Sequence, residues 1–66
     1  MEKFITIYTY QSGFYRIYFA YKRWVTDKRY TVQFTDYLDK SAVQKAAQRF
    51  IKKGYKVSEA ADKLNN

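Results

Sequence analysis

Residues Phe14–Val25 read FYRIYFAYKRWV. Aromatic and branched side chains fill the stretch and neither Gly nor Pro interrupts it, which is the composition of a β-strand. Successive side chains of a strand point to opposite faces. One face therefore carries Tyr15, Ile17, Phe19, Tyr21 and Val25, and the other carries Phe14, Arg16, Tyr18, Ala20, Lys22 and Trp24. The first set is apolar and is broken only by Arg23, so it predicts a strand with one side on a core.

Reading outward from this strand gives the rest of the fold. Gln11–Ser12–Gly13 supplies a turn in which Gly13 can take positive φ. Phe4–Tyr10 (FITIYTY) precedes it as a first strand. On the other side Thr26–Arg29 is a polar turn, and Tyr30–Thr35 (YTVQFT) is a third strand. Short connections between consecutive strands imply antiparallel pairing in a meander. Asp36–Lys40 is a connection. In Ser41–Lys53 (SAVQKAAQRFIKK) the apolar residues Ala42, Val43, Ala46, Ala47, Phe50 and Ile51 mark one face of a 3.6-residue period. Ser41 with Gln44 forms a capping-box pattern and Asp39 is a competing cap. Gly54 closes the helix. Tyr55–Val57 reads as a short edge strand and Ser58–Leu64 as a short helix, with Ala61 and Leu64 turned inward; the pattern leaves strand and helix open for residues 55–64. Asn65 and Asn66 read as a frayed end. The expected architecture is α+β, one small domain over residues 1–66. A three-stranded antiparallel meander packs on one amphipathic helix, with a short C-terminal strand or helix.

A helix with one apolar face covers one face of the sheet. The expected core is Ile5, Ile7, Ile17, Phe19, Val32, Phe34, Val43, Ala46, Ala47, Phe50 and Ile51, with Tyr30 on the same side. Thr31, Gln33 and Thr35 are expected on the open face, beside Phe4, Thr6, Tyr8 and Tyr10.

Composition narrows the function. The 66 residues contain no Cys and no His, so no disulfide, structural zinc site or imidazole base is expected. The six carboxylates are scattered and no nucleotide-binding fingerprint occurs. No catalytic constellation, cofactor or metal is expected. The apolar part of Met1–Tyr10 alternates with Thr and is too short for a secretory leader. No run reaches the roughly 20 apolar residues that span a membrane. A cytoplasmic location is the expectation that follows.

Thirteen Lys and Arg against six Asp and Glu give a net charge of +7, and 21% of the residues are aromatic. Such a charge attracts acidic partners. The open face is expected to display Tyr8, Tyr10, Arg16, Tyr18, Lys22, Trp24 and Gln33, with Lys28 and Arg29 at the adjoining turn. Rings stack on bases and cations contact phosphates and base edges. These residues predict a small, basic, non-enzymatic nucleic-acid-binding protein, with DNA ahead of RNA. Two other uses of the face are self-association as a homodimer and plain solubility. The alternative function is an accessory or inhibitory protein, of the kind phages and other mobile elements encode. It would dock Lys45, Arg49, Lys52 and Lys53 on an acidic surface of a larger protein.

Within Tyr15–Gly54, the segments YRIYFAYKR, RYTVQF and AVQKAAQRF follow in the order strand, strand, helix. This order resembles the small DNA-binding domains at the amino ends of phage and transposon integrases, and a class of plant DNA-binding domains. Those modules lay a three-stranded sheet in the major groove. The resemblance implies that Arg16, Tyr18, Lys22, Trp24, Thr31 and Gln33 approach the bases. It departs at Thr26–Arg29, where those domains have a glycine-containing turn.

Overall fold

A computed structural model describes residues 2–64 and places β1 at Glu2–Thr9, β2 at Tyr15–Lys22, β3 at Thr31–Tyr37, α1 at Lys40–Lys52 and β4 at Lys56–Val57, followed by a 3₁₀ turn at Ala61–Lys63. Asn65 and Asn66 lie outside the described residues. The strands form one mixed sheet in the order β3-β2-β1-β4. β1 and β3 each pair antiparallel with β2, and β4 joins β1 in parallel. The class is α+β. Residues 55–64 supply both of the expected alternatives, a two-residue strand and then a helical turn.

The first hairpin follows from one glycine. Tyr10 N–H donates to Phe14 C=O at 2.9 Å, and Gly13 N–H donates to Tyr10 C=O at 3.0 Å. Gly13 has φ +97°, a left-handed conformation that a side chain would strain. The Tyr10 and Phe14 rings flank this turn and stack at 4.6 Å.

The second connection corrects the expected end of the long strand. β2 stops at Lys22, not at Val25. Asp27 pulls the chain into a turn: its side chain accepts the Trp24 N–H at 3.2 Å, and its own N–H donates to Trp24 C=O at 3.0 Å.

Helix α1 begins at Lys40 behind Asp39, whose carbonyl accepts the Val43 N–H at 3.1 Å and whose side chain makes no capping bond. Ser41 lies inside the first turn. At the other end Gly54 N–H donates to Ile51 C=O and Tyr55 N–H to Phe50 C=O. With Gly54 at φ +99°, this is a Schellman closure. Its apolar contact is the Tyr55 ring edge-on to Phe50 at 5.0 Å.

The sheet is covered on both faces. On one, Ile5 and Ile17 are fully buried against Val43, Ala46 and Ala47 of α1. Phe19 and Phe50 extend this layer, with ring centroids 5.0 Å apart. On the other face lie Thr6, Ala20 and Ala61, all buried. Thr6 hydroxyl donates to Ser58 C=O at 2.7 Å and accepts the Ala61 N–H at 2.6 Å, which seats the C-terminal turn on the sheet.

This second layer overturns the expected sidedness of β3. Ile17 faces Thr35 and Phe19 faces Gln33, whereas Ala20 faces Val32 and Tyr18 faces Phe34. Thr31, Gln33 and Thr35 therefore share the helix side, and Val32 and Phe34 lie on the side of the C-terminal turn; Tyr30, whose ring sits edge-on to Phe4 at 5.9 Å, goes with them. The alternation of β3 is correct in period and inverted in face. Ile7, Phe34 and Ile51, expected in the core, are exposed. Phe19, Val32 and Phe50 are half-buried.

Candidate nucleic-acid interface

Of the residues expected on the open face, Tyr8, Tyr10, Arg16, Tyr18 and Lys22 share the side of the sheet on which the C-terminal turn sits. They form a network of their own. Arg16 and Asp36 are cross-strand neighbours. The Arg16 guanidinium donates to both Asp36 oxygens, at 2.6 and 3.0 Å, and to the Tyr18 hydroxyl at 3.2 Å. Four rings surround it. Phe34 is nearest at 4.0 Å from the ring centroid, and Tyr10, Phe14 and Tyr18 lie between 5.4 and 5.7 Å. The hydrogen bonds to Asp36 and then to Tyr18 raise the Arg16 pKa further, and the same pairing lowers that of Asp36. A guanidinium held this way has three of its five donors committed and its plane fixed.

Tyr8 is engaged as well. Its hydroxyl donates to Asp62 at 2.9 Å, and this bond, with desolvation, raises its pKa. Its ring stands edge-on to Tyr18 at 5.6 Å. Desolvation likewise raises Tyr10. Lys22 places its ammonium 4.6 Å from the Tyr30 ring centre, and Tyr30 donates its hydroxyl to Glu2 at 2.8 Å.

The other expected contacts are elsewhere. Gln33 lies on the helix side, opposite Phe19. Trp24, Lys28 and Arg29 lie in the connection between β2 and β3. Trp24 is 68% exposed and Val25 is 93% exposed. Arg23, Lys28 and Arg29 of the same connection are exposed as well. The one carboxylate of this connection, Asp27, is occupied with the Trp24 main chain. Arg16–Asp36 is the only ion pair among the described residues, so the cations of the connection make none there.

Two members of this loop were expected elsewhere: Val25 on the core side of the strand, and Arg23 as the one break in that side. The signal for them was Arg23 itself. A cation at a position that strand alternation assigns to the core marks the place where the strand has ended.

Lys45, Arg49 and Lys52 on α1 and Lys53 at its C-terminal cap are all exposed. Between α1 and the sheet runs a groove floored by Ile7, Tyr15, Val43 and Ala47, with Lys40 as the one charged residue of its lining. No helix of the described residues is long and apolar enough to cross a membrane. Comparison with protein-family models, with curated proteins and with solved structures finds no match.

Proposed function

We propose that this is a small, basic, non-enzymatic protein of the cytoplasm that binds nucleic acid, DNA ahead of RNA, through the β2–β3 connection. The observation that carries the reading is Trp24. It is the only tryptophan of the chain, and it stands exposed in a connection that also carries the exposed residues Arg23, Val25, Lys28 and Arg29. Asp27 fixes the main chain beneath it, so the ring is presented on a defined turn. An indole of this kind stacks on a base for roughly 1–3 kcal/mol. The cations take phosphates and release counterions. Val25 offers an apolar contact for a sugar or a thymine methyl. Tyr8, Tyr10 and Arg16 lie toward the other end of β2, beside the β1–β2 turn, and with Tyr18 they are engaged in the network around Arg16 rather than with the connection.

The second reading, docking on an acidic protein surface, is favoured by the exposed cations Lys45, Arg49 and Lys52 of α1 and Lys53 at its cap. Paired charge reversals separate the two. Arg23→Glu with Arg29→Glu is expected to weaken binding of a labelled oligonucleotide at about 0.15 M salt by tenfold or more. Lys45→Glu with Arg49→Glu is expected to cost much less. A larger loss from the helix pair would transfer the function to α1, and equal losses would mean a diffuse attraction with no defined face.

A further inference from the structure

β3 ends the sheet on one side, so among the described residues no strand pairs with its outer edge. Thr31–Tyr37 (TVQFTDY) contains no Lys, Arg or Pro, the residues that ordinarily guard an edge. Backbone alternation decides which of its groups face outward. Ile5 C=O accepts the Ser58 N–H on the β4 side, and Tyr10 N–H bonds to Phe14 across the hairpin. Odd residues of β1 thus turn their backbone groups away from β2, and even residues turn them toward it. Carried through Ile5–Phe19 and Phe19–Gln33, the same alternation turns Gln33 and Thr35 toward β2. The N–H and C=O groups of Val32, Phe34 and Asp36 are left facing outward.

These three residues are symmetric about Phe34. We propose that the outer edge of β3 is a self-association surface, on which a second copy of the chain pairs antiparallel about a two-fold axis through Phe34. Phe34 then pairs with Phe34 of the other copy and Val32 with Asp36, and every outward backbone group meets a partner in the register of an antiparallel ladder. The Phe34 ring, 54% exposed in one copy, gains its counterpart across the axis. Charge selects this strip. None of the thirteen Lys and Arg lies on β3, and the carboxylate of Asp36 is bound by Arg16 of its own copy. Elsewhere two chains of charge +7 repel each other. Pairing of one strand edge falls short of the roughly 800 Å² per partner of a standard stable interface, so association depends on concentration. It strengthens as salt screens the net charge, the reverse of the salt dependence of nucleic-acid binding.

Sedimentation velocity and amide hydrogen exchange on the full chain test this. The expected result is a shift from monomer toward dimer with concentration, larger at high salt. The Val32, Phe34 and Asp36 amides gain protection in step with dimer, and those of Gln33 and Thr35 are protected throughout. Gln33→Lys places a guard charge on the exposed strip and is expected to raise the dissociation constant about tenfold, which is about 1.4 kcal/mol. Phe34→Pro removes an outward N–H without removing a bond to β2, and is expected to abolish the dimer. Circular dichroism verifies that each variant folds; should Phe34→Pro unfold, Gln33→Lys and the exchange pattern of the unaltered chain still decide. A chain that stays monomeric up to its solubility limit would overturn the proposal. So would a dimer whose added protection lies outside β3, or one that Gln33→Lys leaves unchanged.

Discussion

Thr6 and Ala61, far apart in sequence, are joined by a 2.6 Å hydrogen bond from the Ala61 N–H to the Thr6 hydroxyl. Thr6 is only 5% exposed, and its proton goes to Ser58 C=O. One buried hydroxyl thus satisfies two main-chain groups of the C-terminal segment and holds the cover on the second face of the sheet.

Replacing Thr6 by Val keeps the shape and removes both bonds. Leaving buried main-chain groups unpaired costs about 1–3 kcal/mol. Thr6→Val is expected to lower stability in urea by that amount, with Thr6→Ser recovering most of it. Hydrogen exchange over residues 58–64 should accelerate in Thr6→Val. Unchanged exchange there would show that the hydroxyl does not seat the segment.

The strands and the helix were legible because the period-2 and 3.6-residue patterns are strong and Gly13 and Gly54 punctuate them. The sidedness of β3 was not. Alternation reports which residues share a face, but α1 and the Ala61 turn each cover one, and α1 lies over β2 more than over β3. Val32 and Phe34 follow the second cover, while Gln33 stays on the helix side at the rim. The second cover was hard to read because it rests on small residues, Ala20 and Ala61, and on one polar side chain, Thr6. In the candidate site the types of residue were legible and their grouping was not. Arg16 looked free until the register brought Asp36 beside it, and Trp24 looked like a strand residue until Asp27 bent the chain.

The Arg16–Asp36 pair gives a pH dependence of definite sign. The guanidinium holds the Asp36 carboxyl below the usual carboxylate range. A carboxyl whose folded pKa is lowered binds protons more readily in the unfolded chain. The stability it contributes is present above about pH 4 and is lost as the pH falls through the folded value. Asp36→Asn is expected to be less stable near neutrality and to show a flatter decline between about pH 5 and 2. Urea midpoints across that range measure it. An equally steep decline in the variant would remove Asp36 from the account.

Tyr8 predicts the opposite limb. Its hydroxyl bond to Asp62 raises its folded pKa, so the stability it contributes is intact below about pH 10 and is lost as the pH rises beyond. Tyr30, bonded to Glu2, acts in the same direction. Tyr8→Phe is expected to flatten the alkaline fall in melting temperature between about pH 9 and 11. Tyr30 and the other raised tyrosines keep part of the slope. A slope identical to that of the unaltered chain would mean that the Tyr8–Asp62 bond contributes nothing to folding.

The central claim is that Trp24 and the cations of its connection contact nucleic acid. The most direct measurement is a titration of Trp24 fluorescence with single- and double-stranded oligonucleotides, since Trp24 is the chain's only indole. At about 0.15 M salt the account predicts a change in Trp24 emission that saturates with a dissociation constant near micromolar or tighter, and log affinity that falls linearly with log salt. Anisotropy of a labelled oligonucleotide then reads Trp24→Ala, which should bind about tenfold more weakly with its fold intact, as loss of one stacked base implies. No binding of either substrate at that salt concentration, or Trp24→Ala binding as tightly as the unaltered chain, would contradict the account.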